Sequence, residues 1–182
     1  MPQDASTLDT TKSFTDAWNA RLKGADGRDH TLASLAGARA TIVIFTGNSC
    51  PTVRAYEDRL MALRARREQD GVLMVAVNPN NPHLSPSDTL AEMVHRAAQR
   101  HFNFPYLKDA DGAVAKAFGA TCTPHAFVVN ADGEVVYSGR IDDSRVGDRV
   151  TSEDLENAVD DIVAGRPLRA PRTDPFGCAT VW

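Results

Sequence analysis

Ala40-Thr-Ile-Val-Ile-Phe-Thr-Gly-Asn-Ser-Cys-Pro-Thr-Val-Arg-Ala-Tyr-Glu57 is the stretch on which the fold turns. Thr41 to Phe45 is a short apolar run rich in β-branched residues, the pattern of a buried strand. Thr46 to Ser49 follow as loop, and then come Cys50 and Pro51. Beyond Pro51 the apolar positions Val53, Tyr56, Leu60 and Leu63 recur at helical steps. Pro51 suits the first helical position, where a missing N–H costs nothing. Cys50 therefore stands where a strand ends and a helix begins. Free N–H groups and the positive end of the helix dipole favour a thiolate there, so the thiol titrates below its usual value of about 8.5. The competing reading is a buried cysteine that simply packs.

The 182 residues fit one domain over 13–182 behind a mobile lead-in at 1–12. A hydrophobic fraction of 42% and a charged fraction of 24% are ordinary for a globular protein. The net charge of −4 gives no reason to expect nucleic acid as a partner. Arg64-Ala-Arg-Arg67 sits near a helix end and reads as a solvated face offsetting the dipole. No apolar run reaches membrane-spanning length, so no membrane is expected. The polar start lacks a secretion signal; cytoplasm is the expected location, with a trimmed exported precursor the alternative. Cysteines at 50, 122 and 178 match neither a disulfide scaffold nor a zinc spacing.

Outward from the central stretch, Asp26-Gly27 marks a small hairpin on the N-terminal side. The Cys50 helix runs to about Glu68, and Val72 to Val77 reads as a second buried strand. Strand, helix, strand of this length is a right-handed parallel unit. Asn78-Pro-Asn-Asn-Pro-His-Leu-Ser-Pro86 is then a loop at the carboxyl edge of the sheet, the edge that carries Cys50 and where ligands bind in open α/β sheets. A helix capped near Ser87 follows, with Leu90, Met93, Val94 and Ala97 inward. Phe104 to Leu107 is extended, Ala113 to Phe118 a brief helix, and His125 to Asn130 with Val135 to Ile141 a hairpin. Thr151-Ser-Glu-Asp opens a last helix that Gly165 stops. The tail ends in Phe176-Gly-Cys-Ala-Thr-Val-Trp182, an apolar cluster expected to dock.

Strand, Cys at a helix start and a later Thr-Pro before a hairpin resemble the thioredoxin fold. Cys50-Pro51, Arg54-Ala-Tyr-Glu-Asp-Arg59, Phe104-Pro-Tyr-Leu107, Val114-Ala-Lys-Ala-Phe-Gly119, Cys122-Thr-Pro124, Tyr137-Ser-Gly-Arg-Ile-Asp-Asp143 and Gly177-Cys178 more closely resemble the redoxins of the alkyl hydroperoxide reductase and thiol-specific antioxidant group. The resemblance runs from about Ala25 to the C-terminus. It implies an α/β thioredoxin-like domain, a mixed sheet flanked by helices, with Pro124 as a cis-proline lying against Cys50. One departure matters. Relatives commonly carry Cys-x-x-Cys-Pro, whereas this chain reads Gly47-Asn-Ser-Cys50. Gly47 stands where thioredoxins place their attacking cysteine, so no dithiol exchange can run within the loop. Cys50 holds the second position, where peroxiredoxins place the peroxide-reacting cysteine, but the threonine they carry three residues earlier is Thr46, four before.

The expected chemistry is thiol–disulfide or peroxide redox, with Cys50 as nucleophile and Cys122 as candidate resolving thiol in a direct Cys50–Cys122 bridge. Thr123 and Pro124 shape the substrate groove, and Thr46, Arg54 and Arg140 are candidate supports for a thiolate. For Arg140 the alternative is an ion pair with Asp142 or Asp143. Cys178 reads as a packed tail residue, although a tail cysteine can reach an active site. Tyr56 and Glu57 read as core and helix surface. No cofactor is expected; Cys50, Cys122 and His125 form a remote option for a soft metal. Partners are a peroxide or disulfide substrate and an external thiol reductant such as a thioredoxin-type protein. A reading from another class is a binding module that kept the fold, lost efficient catalysis and holds a protein partner or a soft metal in the Cys50/Pro124 groove.

Overall fold

Ile42 and Ile44 pack toward one face of the sheet, and Val43 and Phe45 toward the other. Alternation with both faces apolar requires cover on both sides. The computed structural model describes residues 13–182; the expected lead-in over 1–12 lies outside them. After a helical segment at residues 13–18, the chain forms β1 (Leu22–Gly24), β2 (Asp29–His30), β3 (Ala40–Phe45), α1 (Pro51–Arg66), β4 (Val72–Asn78), α2 (Leu90–Arg100) and β5 (Tyr106–Lys108). It continues with α3 (Ala113–Phe118), β6 (Cys122–Thr123), β7 (His125–Asn130), β8 (Val135–Gly139), α4 (Asp154–Val163) and β9 (Cys178–Ala179).

The main sheet has the order β2-β1-β5-β4-β3-β7-β8. β3 runs parallel to β4, and β4 to β5, while β3–β7, β7–β8, β1–β5 and β1–β2 are antiparallel. It is the mixed sheet of a thioredoxin-like fold. On one face Tyr56, Leu60 and Leu63 of α1, Met93 of α2 and Leu155 and Val159 of α4 meet Ile42, Ile44, Met74 and Val128. On the other, Val114 and Phe118 of α3 meet Phe45, Val77 and Phe127. Each fully buried large side chain contributes about 1.5–3 kcal/mol. The β3–α1 junction is thus clamped between two packed layers, and Cys50 sits at it.

The N-terminal hairpin turns at Asp26-Gly27 as expected, with Gly27 at φ +80°. α2 starts later than expected: Ser87 lies in a 3-10 turn over Pro86–Asp88, and Thr89 caps the helix by accepting from Glu92 N–H. Val94 is 43% exposed rather than inward. Thr151 does not cap α4, because its hydroxyl and N–H are spent on Asp143. The arginines at the end of α1 do not form a free solvated face. Arg66 and Arg67 reach across to Glu156 and Asp160 of α4. Glu57 is buried rather than on the surface, and Arg96 and Arg100 of α2 neutralise it at 2.6 and 3.0 Å.

Candidate functional site

Cys50 is the N-cap of α1, with extended backbone angles. Val53 N–H approaches its sulfur at 3.5 Å, and no acidic residue lies in the first turn of α1. Both features favour a thiolate when the cysteine is reduced. On the other side the sulfur lies 3.2 Å from the Thr123 carbonyl oxygen, which favours the protonated thiol. The Thr123–Pro124 bond is cis, as the resemblance implies, and it brings this carbonyl to the sulfur.

Cys50 is bonded to Cys178, 128 residues away, with the Cα atoms 5.9 Å apart. The expected Cys50–Cys122 bridge is not formed, and Cys122 is free. The reason is register. β9 pairs antiparallel with β6, placing Thr123 opposite Cys178 and Cys122 opposite Ala179. Successive strand residues face opposite ways, and the Cys122 sulfur turns to the Pro124 carbonyl at 3.6 Å. Burial pushes the Cys122 thiol above its ordinary range, away from thiolate.

The tail that carries Cys178 is held along its length. Thr173 N–H donates to the Ser138 carbonyl, Ser138 N–H donates to the Pro171 carbonyl, and the Thr173 hydroxyl bonds Tyr137 and accepts from Arg140 N–H. Gly177 passes so close to β6 that a Cβ there would lie 2.1 Å from the Thr123 carbonyl oxygen. Asn81 N–H donates to the Val181 carbonyl at 2.6 Å, and Val181 N–H donates to Asn80 Oδ1 at 3.0 Å. The Lys116 ammonium stands 5.3 Å from the Trp182 ring. The expected docking of the tail holds, but it rests on main-chain bonds, the Thr173 hydroxyl and the Cys50–Cys178 bond more than on the apolar cluster, since Phe176 and Trp182 remain 37% and 41% exposed.

Beneath the tail lies a polar cluster that the sequence reading missed. Asp88 is fully buried and accepts from Asn48 N–H, Ser49 Oγ, Asn78 Nδ2, Asn80 Nδ2 and Ser85 Oγ. Burial alone would raise its pKa; these donors outweigh that and hold the carboxyl below its ordinary range. Asp88 thereby fixes the loop before Cys50. Lys108 Nζ donates to Asn78 Oδ1 and the Asn80 carbonyl, and burial brings its pKa down to about 8. The signal for this cluster was the Asn/Pro loop at the sheet's carboxyl edge. The same cluster explains Gly47: a Cβ there would meet Asn80 Nδ2 at 2.6 Å, so the space of a first cysteine is taken by the amide.

The other candidates separate. Thr46 is buried and donates its N–H to Val77; with Gly47 and Asn48 it lines a small pocket of about 20 Å³. Arg54 Nε donates to the Asn48 carbonyl at 2.9 Å, bracing the loop. Arg140 pairs with Asp154 at 2.7 Å, not with Asp142 or Asp143, because Asp142 is taken by Tyr56 and Arg59 and Asp143 by Thr151. The His125 ring nitrogens meet Thr121 N–H and Ser138 Oγ, and burial with nearby Arg172 pushes its pKa down to about 4. Among the described residues no three His, Cys, Asp or Glu side chains are grouped to hold a metal, and no helix is long and apolar enough to cross a membrane.

The family model for Redoxin matches residues 6–159. The chain belongs to the Redoxin family. This redoxin chain is 34% identical to a hypothetical protein of Sinorhizobium meliloti of known structure, covering 91% of this chain and 92% of that one with a TM-score of 0.84. It is 28% identical over 121 residues to the thiol-disulfide oxidoreductase ResA of Halalkalibacterium halodurans; the match covers 66% of this chain and spans 64% of that protein's length. Xanthomonas campestris peroxiredoxin Q shares its fold, at 18% identity and a TM-score of 0.58, over 83% of this chain and 91% of that one.

Proposed function

We propose that this protein is a two-cysteine thiol–disulfide oxidoreductase in which Cys50 attacks and Cys178, not Cys122, resolves. The observation that carries the proposal is the Cys50–Cys178 bond at the helix N-terminus. An external dithiol first reduces this bond to two thiols and is itself oxidised. The Cys50 thiolate then attacks one sulfur of a substrate disulfide, and the other sulfur leaves as a thiolate. Cys178 attacks the Cys50 sulfur of the mixed disulfide, re-forms Cys50–Cys178 and expels the second substrate thiolate. The tail thus supplies the second thiol that Gly47 removed from the loop. Disulfide is favoured over peroxide as substrate by the arginines. Arg54 Nε is held by the Asn48 carbonyl and Arg140 Nε by Asp154, so each guanidinium already has a protein partner.

The test compares reduction of a protein disulfide such as insulin with consumption of hydroperoxide, both driven by a dithiol. Wild type should turn over the disulfide faster, Cys50→Ser should abolish it, and Cys178→Ser should stall as a mixed disulfide on Cys50. Full turnover by Cys178→Ser would remove the tail from the cycle. Faster consumption of hydroperoxide would move the substrate to peroxide. Activity that survives Cys50→Ser would take Cys50 out of the cycle, and absence of both activities in wild type would leave the Cys50–Cys178 bond a staple on a binding module.

A further inference from the structure

β6 has one hydrogen-bonded neighbour among the described residues, the tail strand β9, and the two form a sheet apart from the main one. Apart from the bond to Cys50, most of what seats residues 177–182 engages their main chain: the β6–β9 ladder, Asn81 N–H on the Val181 carbonyl, and Asn80 Oδ1 on the Val181 N–H. Such contacts recognise an extended strand whatever its side chains. Two places do select side chains. Immediately before the cysteine, the gap beside the Thr123 carbonyl and Pro124 admits no Cβ, since one on Gly177 would stand 2.1 Å from that oxygen and 3.1 Å from Pro124 Cδ. Four residues after the cysteine, the Trp182 ring packs over Gly112, where an added Cβ would lie 2.9 Å from a ring carbon, and the Lys116 ammonium faces the same ring.

We propose that the tail occupies the seat of the substrate: once Cys50–Cys178 is reduced, this seat takes an extended strand of a partner protein that reads glycine, oxidised cysteine, and an aromatic residue four positions on. The proposal rests on the oxidoreductase reading above and names its substrate class. Chemistry follows from the seating. The Cys50 thiolate attacks the seated cysteine's sulfur, a Cys50–substrate disulfide forms, and the partner's other sulfur leaves as a thiolate that takes a proton from water. Strand and tail claim the same main-chain groups, so the tail returns as the strand slides off. Cys178 thiolate then attacks the Cys50 sulfur, and the substrate cysteine leaves as a thiolate. Two electrons pass from the protein's dithiol to the partner's disulfide, and an external dithiol restores them.

The seat's selectivity is read with full-length Cys178→Ser, reduced, and synthetic peptides whose cysteine carries a thionitrobenzoate leaving group. The probe is Asp-Pro-Phe-Gly-Cys-Ala-Thr-Val-Trp, the sequence of residues 174–182. Its comparators replace the glycine by valine or omit the last two residues, and glutathione with the same leaving group serves as the small control. The probe should release thionitrobenzoate about tenfold faster than each comparator, a difference of about 1.4 kcal/mol in barrier, and oxidised wild type should take none of it. Equal rates for all four compounds would overturn the seat while leaving Cys50 a nucleophile. Failure to react even with the glutathione compound would instead overturn the oxidoreductase reading.

Discussion

His125 is nearly buried between Phe127, which stacks on it at 4.3 Å, and the tail, whose Arg172 adds a repelling charge. Burial and Arg172 press its pKa from 6.5 to about 4. The folded protein therefore holds a neutral imidazole in a range where the unfolded chain binds a proton. Stability from this group is fully present above about pH 6.5 and is lost as pH falls toward 4, amounting to about 3 kcal/mol. Urea midpoints measured above and below this window should fall on acidification in wild type and fall less in His125→Gln. An equal fall in both would show that another group carries the acid slope. Asp88 makes the opposite case. It is a buried carboxylate that its donors keep charged, and it acts on Cys50 only by holding Asn48 and Ser49 in place.

β9 is two residues long, far too short to hold itself on β6. What keeps it there is the close passage of Gly177, the clamp on Val181 and the bond to Cys50. An alanine at 177 places a methyl group against backbone, not against a side chain that can swing away. Gly177→Ala should therefore lift the strand and lower the effective concentration of Cys178 at Cys50. In a glutathione redox buffer, the equilibrium constant for forming Cys50–Cys178 should drop by about tenfold, the effect of about 1.4 kcal/mol of strain. Mass spectrometry of alkylated samples reads the reduced fraction, and an unchanged midpoint would mean that the tail tolerates the methyl.

Across the whole molecule the Cys50–Cys178 bond ties the end of the chain to the centre of the sheet over 128 residues. In the chain-entropy account a loop of that length is worth about 5 kcal/mol. Reduction by dithiothreitol should lower the urea midpoint accordingly and open residues 174–182 to carboxypeptidase, with the core still folded. A reduced protein as stable and as resistant as the oxidised one would show that main-chain docking alone holds the tail. Much of the architecture was written in local pattern. β-branched runs at 40–45 and 72–77, helical spacing after Pro51 and turn residues at Asp26-Gly27 each act over a few neighbours, and the parallel strand-helix-strand unit followed from them, while the thioredoxin-like sheet was what the resemblance to the redoxins implied. The place of Cys50 at a helix start was legible for the same reason. Its partner was not. Thr123-Pro124 points to a groove by its type, but which of Cys122 and Cys178 faces Cys50 is set by the β6–β9 register, a pairing of segments more than fifty residues apart. Asp88 reads in sequence as one more polar residue of a Ser/Pro loop; only the fold draws it beneath Asn48, Asn78 and Asn80. Sequence determined the strand-to-helix junction that places Cys50 at a helix N-terminus, because that is local backbone chemistry. Tertiary structure decided which thiol answers it, because that depends on where a distant strand comes to rest.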